Sequence, residues 1–214
     1  MPFQAVCVMR RAFLLSFFTL LFVSCSLQRK VDTAPLHWSN RLVKPLLFYN
    51  DYVLSYQLKP KYRKHSVPFP DNEKGFVPQG EKFYYSMTST DGQYYPVAEY
   101  KDRNGHAYKL IVYNVMGEND TEILVTQINS YKQDSLVDAL ILEMNFTFET
   151  QISSRYSVND SVATMDRYEI NGILYDEESG DIIGTKTTPD TAIYRSVYKI
   201  TDGRFVKMSE KRIR

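Results

Sequence analysis

Few side chains in this sequence have the chemistry to act on a substrate. The 214 residues include two cysteines, Cys7 and Cys25, and three histidines, His37, His65 and His106. The histidines stand far apart and lack the spacing with which imidazole and thiolate hold a metal. No Gly-x-Ser-x-Gly elbow, His-Glu-x-x-His pair or phosphate loop occurs. No catalytic residue, metal ligand or cofactor is therefore expected. The densest acidic run is Asp176-Glu177-Glu178-Ser179-Gly180-Asp181. Its oxygens would suit calcium in number but not in EF-hand spacing, and acids beside a glycine are ordinary turn chemistry. Tyrosine is over-used, with 17 residues, all after Phe48. Such rings pack on a pleated surface while their hydroxyls stay wet. Gathered on one face, they would instead form a stacking platform for sugars or other planar ligands.

Cys25 has a more specific setting. Met9-Arg10-Arg11 precedes Ala12 to Val23, which is apolar except for Ser16 and Thr19, and Ser24 then stands before Cys25. A basic start, a short apolar run and a small residue are the layout of a secretory signal peptide. The segment Phe22-Val23-Ser24-Cys25 resembles the bacterial lipobox, with Phe22 in place of the usual leucine. That resemblance implies cleavage before Cys25, diacylglycerylation of its thiol and acylation of the new amino terminus. Residues 1–24 are then a lipoprotein signal peptide, with Met9 as its start, and the chain's first partner is the membrane, through acylated Cys25. The apolar run is too short for a transmembrane helix, which takes roughly 20 residues. The following Ser26-Leu27-Gln28-Arg29-Lys30 carries no acid. It does not resemble the acidic surface-export signals of the Bacteroides group, nor the Asp that retains lipoproteins in the inner membrane of enteric bacteria. The expected location is the bacterial outer membrane, lipid-anchored and facing the periplasm, with the cell surface as the alternative.

A second, looser motif recurs in Asp32-Thr33-Ala34, Asp134-Ser135-Leu136, Asp160-Ser161-Val162 and Asp190-Thr191-Ala192. Each resembles the short Asp-Ser/Thr-apolar site at which envelope proteins of the Bacteroides group are O-glycosylated. The resemblance makes Thr33, Ser135, Ser161 and Thr191 possible acceptors. The same residues also serve as ordinary turn and cap formers.

Formal net charge is +1, and loss of Arg10 and Arg11 with the leader makes it slightly negative. Such balance argues against nucleic acid as a partner, which needs a clustered positive field. Residues 25–45 read as a polar tether with Pro35 and Pro45, Trp38 within it folding back onto the domain. Residues 46–214 read as one β-rich domain, interrupted by a proline- and glycine-rich loop over residues 59–80.

Alternation and turn dipeptides place strands at Lys82–Thr88, Gln93–Tyr100, His106–Val115, Glu122–Asn129, Leu140–Val158, Tyr168–Tyr175, Ile182–Thr187, Ala192–Ile200 and Arg204–Glu210. Leu46 to Leu58 reads as a further strand, or as a hairpin turning at Asn50-Asp51. Asp91-Gly92, Asn104-Gly105, Ser179-Gly180 and Asp202-Gly203 supply tight antiparallel turns. Ser130 to Leu142 is the one short helix candidate, capped by Asp134 or Ser135. Over residues 144–158, Phe146, Phe148 and Ile152 are expected in the core, with Thr147, Glu149 and Gln151 in solvent. A strand of that length must bend, and Ser153-Ser154 is the expected place.

The fold class expected is mainly β: an antiparallel meander forming a curved sheet or barrel-like domain. Two functions suit it. One is a non-catalytic binding or assembly role towards another envelope protein, by a sheet face or edge. The other is carriage of an apolar small molecule or lipid in the concave face, similar in outline to the half-barrel lipoprotein carriers. A large apolar cavity favours carriage, and a filled core favours docking.

Overall fold

Short turns with unusual backbone angles set the register of the sheet. The computed structural model describes residues 35–80, 92–117 and 122–214. Gln133 and Asp134, at φ 49° and 60°, join β7 (Glu122–Lys132) to β8 (Ser135–Thr147). Asp202 and Gly203, at φ 48° and 72°, join β11 (Ile182–Thr201) to β12 (Arg204–Arg212). Two successive left-handed residues match the twist of antiparallel strands, so two residues suffice to turn. Other hairpins turn on polar side chains. Asp102 accepts the amides of Asn104 and His106, each at 2.8 Å, between β5 (Gln93–Lys101) and β6 (His106–Met116). Asn159 accepts those of Ser161 and Val162 between β9 (Gln151–Asn159) and β10 (Val162–Tyr175).

The result is mainly β: among the described residues, a ten-stranded antiparallel sheet whose meander runs β12-β11-β10-β9-β8-β7-β6-β5-β4, with β4 at Val67–Pro68. The tenth strand, β1 (His37–Ser39), pairs with β9. The sheet curves without closing. Its last strand reaches back to the middle, where the Phe205 amide donates to Asp138 at 2.8 Å. Successive turns of a meander alternate between its two ends. The Asp102, Gln133-Asp134, Asn159 and Asp202-Gly203 turns therefore share one end. The reversals at 148–150 and 176–181 share the other.

The inner face is packed solid. Leu110, Val112, Leu124, Ile128, Leu140 and Leu142 meet Val158, Tyr198, Ile200 and Phe205 across the curve, with Leu36, Trp38, Val43 and Leu58 filling the space between. The filling comes from residues 35–64. They carry α1 (Asn40–Val43), a 3-10 turn at Lys44–Leu46, the hairpin β2 (Leu47–Asn50) and β3 (Ser55–Leu58), and α2 (Pro60–Arg63). The outer face of β6–β8 is covered too, by Phe69 and Tyr94 against Ile111, Tyr113, Ile141, Met144 and Phe146. A polar ladder crosses it. Tyr113 donates to Gln127 at 2.6 Å, Gln127 to Asn129 at 2.6 Å, Asn129 to Tyr131 at 3.0 Å, and Tyr131 to Glu73 of the proline-rich loop at 3.2 Å. Burying those groups is tolerable because each finds a partner.

Several expectations need correction. The helix over Ser130 to Leu142 is instead the end of β7, a turn and the start of β8. Leu136 and Leu140 keep their helical spacing but lie on a strand bulged at Val137 and Leu142, where β8 carries one residue more than β7. Leu140–Val158 is not one bent strand. The chain reverses at Phe148-Glu149-Thr150, and Phe146 and Thr147 pair with Ile152 and Gln151. Phe146 is buried and Ile152 half-buried, but Phe148 lies on the turn and is 55% exposed. The tether does not run to Pro45: Leu36, Trp38 and Val43 belong to the core. Trp38 does pack back on the domain. The expected strand Lys82–Thr88 lies outside the described residues.

Candidate functional site

The meander is broken at one seam. Strands β8 and β9 pair only at Phe146↔Ile152 and Thr147↔Gln151 before they diverge. Backbone groups on two facing edges would be left bare there, at a cost for each unpaired buried group. The amino-terminal half of the domain fills the gap. Residues His37–Ser39 pair with Asn159, Val158 and Ser157. The Gln79 amide donates to Ala139 at 2.7 Å, and the Ile141 amide donates to Gln79 at 3.0 Å. The Ser55 hydroxyl donates to the Asn145 carbonyl at 3.4 Å.

Between these plugs sits Asn40. Its amide nitrogen donates to the Glu143 carboxylate at 2.8 Å and to the Ser154 carbonyl at 3.0 Å. Its oxygen accepts the Tyr156 amide at 2.7 Å. One carboxamide thus ties β8 to β9 where backbone pairing has failed.

Glu143 belongs to the polar row that sequence alternation assigns to solvent. The bulge at Leu142 turns it round: Glu143 faces Thr126 in the register, on the packed side. It is only 9% exposed. Burial raises its carboxyl to about 7, opposed by hydrogen bonds from Asn145 and Asn40 and by the charge of Lys44. The Tyr156 phenol is raised as well, chiefly by burial and then by the Glu143 charge. Its hydroxyl and that of Thr126 are buried without a hydrogen-bond partner.

Two clefts meet at Glu143. One, of about 500 Å³, runs along the seam between Lys44, Tyr56, Asn145, Gln151, Arg155 and Tyr168. The other, of about 220 Å³, lies towards the end of the sheet and is lined by Arg167, Tyr194, Ser196, Tyr198, Lys207 and Glu210. The smaller cleft is largely polar, while Val43, Leu47 and Ile170 give the larger one apolar wall as well.

A third polar group lies under the Asp202-Gly203 turn. His106 Nδ1 is 3.1 Å from Asp102, and Nε2 is 3.4 Å from Asp202. His106 is 1% exposed, and a Cβ at Gly203 would come within 2.8 Å of both its ring and the Ser130 hydroxyl. Imidazole and carboxylates here join the β5–β6 and β11–β12 hairpins. His37 and His65 are exposed and stand apart from it.

The residues singled out by sequence are scattered. Cys25 and Thr33 lie outside the described residues. Ser135 is exposed at the start of β8, and Ser161 is exposed in the β9–β10 turn, at the same end of the sheet. Turn work occupies the latter site: the Ser161 hydroxyl donates to Asn159 at 3.2 Å, and Asp160 accepts the Leu36 amide at 2.7 Å. Thr191 is half-buried inside β11, paired with Ile170. The acidic run closes the β10–β11 hairpin, where Asp176 accepts the amides of Glu178 and Ser179 at 3.0 and 2.8 Å. Those bonds hold its carboxyl below the usual range. Among the described residues, no helix is long and apolar enough to cross a membrane, and no group of three metal-ligating side chains forms. Comparison with protein-family models, curated proteins and solved structures finds no match.

Sequence reasoning missed the seam. Asn40 lay in the supposed tether, and Glu143 in the supposed solvent row. The only signal was Glu143 itself, an acid inside the apolar run Leu140 to Phe146.

Proposed function

We propose that this chain is a lipid-anchored protein of the bacterial envelope, held in the outer membrane through acylated Cys25, facing the periplasm and docking another envelope protein without catalysis. The observation that carries the docking role is a two-stranded arm at one end of the sheet. Strand β9 stops pairing with β10 at Ile170↔Gln151. Strand β12 and the residues after it cover β11 only as far as Ile193, which exchanges backbone hydrogen bonds with Ile213 and Arg214. Beyond those points β10 and β11 run on together to the turn at 176–181, with both edges unpaired among the described residues. Leu174, Ile182 and Ile183 are 42%, 59% and 59% exposed there. Bare strand edges with apolar side chains are a template for strand addition by a partner.

Position supports the same reading. The Leu36 amide is held by Asp160 in the β9–β10 turn, so the anchored amino terminus enters at the end opposite the arm. The filled inner face supports docking over carriage of an apolar ligand, since Leu36, Trp38, Val43 and Leu58 occupy the space a lipid would need.

A photo-crosslinking residue at Ile183 in living cells tests the docking role. A discrete protein adduct, abolished by Ile182→Lys, is the expected result. Absence of any adduct at Ile183 in protein that is folded and membrane-bound overturns it. The anchor is tested separately: Cys25→Ala should release the domain or leave an uncleaved precursor, because stable membrane retention needs two or more acyl chains. Normal processing with unchanged retention refutes the anchor. Protease added to intact cells should spare the domain, and digestion there moves it to the cell surface.

A further inference from the structure

We propose that the larger seam cleft is a binding site for an acidic saccharide. It borders the root of the arm, where Gln151 meets Ile170, and does not depend on the docking role.

The argument starts from what lines the cleft. Its volume, about 500 Å³, falls within the range of small-ligand sites. Val43, Leu47 and Ile170 give it apolar patches, and polar side chains are interspersed among them. Carboxamides at Asn145 and Gln151 and the hydroxyl of Ser153 face the opening from both strands of the seam. Amides and hydroxyls donate and accept at once, which is what a ring of vicinal hydroxyls requires. An apolar ligand would strip water from these groups and return no hydrogen bonds.

Aromatic rings stand on both walls. Tyr56 is 37% exposed and is braced edge-on by Tyr49 at 5.2 Å. Tyr168, on the opposite wall, is covered on one face by Arg155, whose guanidinium lies 5.2 Å from the ring centroid. A sugar ring presents a C–H face that packs on such a ring, while its hydroxyls reach the amides.

Charge fixes the kind of sugar. Arg155 is the register partner of Asp166, but Asp166 is already held by both forks of Arg195, at 2.6 and 2.7 Å. Arg155 makes no ion pair among the described residues, and Lys44 adds a second cation to the rim. The one carboxylate in the cleft, Glu143, spends an oxygen on Asn40. The Lys44 charge acts in part on Glu143, but Arg155 stands without an acidic partner among the described residues, beside hydroxyl-binding groups, which suits a saccharide bearing carboxylates.

Isothermal titration of the purified full chain with trigalacturonic acid tests this. The comparison ligands are the same trisaccharide with its carboxyls reduced to hydroxymethyl groups, and succinate. Trigalacturonic acid should bind at least tenfold more tightly than either. Arg155→Gln and Lys44→Gln alter exposed side chains, and thermal unfolding checks that both variants are folded. Each should weaken trigalacturonic acid at least tenfold, about 1.4 kcal/mol, and leave the reduced sugar unaffected. No binding at millimolar sugar overturns the proposal. So does equal binding of the reduced trisaccharide, equal binding of succinate, or full affinity in both variants.

Discussion

Glu143→Gln is expected to make the domain's stability less sensitive to pH. In the folded chain burial raises the Glu143 carboxyl from 4.5 to about 7. Unfolding returns it to water and to its ordinary value. Between those two pH values the native state therefore binds more protons than the unfolded state. Stability must fall as pH rises through that window, and the full cost, roughly 3 kcal/mol, stands above pH 7. Below pH 4.5 both states hold the proton and the cost vanishes.

The groups facing Glu143 set the size of the effect. Asn40 and Asn145 donate to it and Lys44 attracts it, while the Tyr156 phenol is buried beside it. Arg167, Lys207 and Glu210 line the smaller cleft that it borders. Glutamine keeps the shape and an oxygen for the Asn40 amide, and does not titrate. Urea unfolding followed by Trp38 fluorescence at pH 5 and pH 8 measures the difference. Trp38 is the only tryptophan and is 7% exposed on the plugging strand, so its emission reports the seam. The variant should gain on the wild type by roughly 2–3 kcal/mol from pH 5 to pH 8. Comparison at each pH cancels groups that titrate in both proteins. A difference that does not move with pH refutes the burial argument.

Other substitutions separate the remaining claims. Asn40→Ala removes three hydrogen bonds across the seam and leaves a buried carboxyl less satisfied; a loss of roughly 2–4 kcal/mol in urea unfolding is expected, with red-shifted Trp38 emission. Phe146→Ala should cost roughly 3–5 kcal/mol by opening a cavity, while Phe148→Ala on the exposed turn should cost under about 1 kcal/mol; equal losses would contradict the hairpin at 148–150. Gly203→Ala forces a Cβ to within 2.8 Å of both the His106 ring and the Ser130 hydroxyl, at φ 72°. It should lower the thermal midpoint by several degrees through strain, whereas Gly180→Ala, with open space around it, should cost less.

The local code was legible where physics is local. Alternation along β6, β7 and β12 marked strands because a pleated chain shows its two faces every second residue. Asn104-Gly105 and Asp202-Gly203 marked turns because positive φ is costly for most other residues. Mainly antiparallel β followed from those two facts alone.

Other features needed partners far along the chain. Alternation continued from Met144 to Val158, yet the chain reverses at Phe148, since Phe146 and Ile152 can share a face on either side of a hairpin. The helical spacing of Leu136 and Leu140 was real, but pairing with β7 decided against a helix. Nothing near Pro35 to Pro45 shows that Leu36, Trp38 and Val43 are buried, because the surface they cover is made by β6, β8, β9 and β11. A bulge at Leu142 turned Glu143 inward, and bulges depend on the strand opposite. The seam followed from all of these together. Sequence by itself determined that strands would form and where most would turn. Only tertiary structure decided which edges went unpaired, and hence that Asn40 and Glu143, 103 residues apart, close the gap between them.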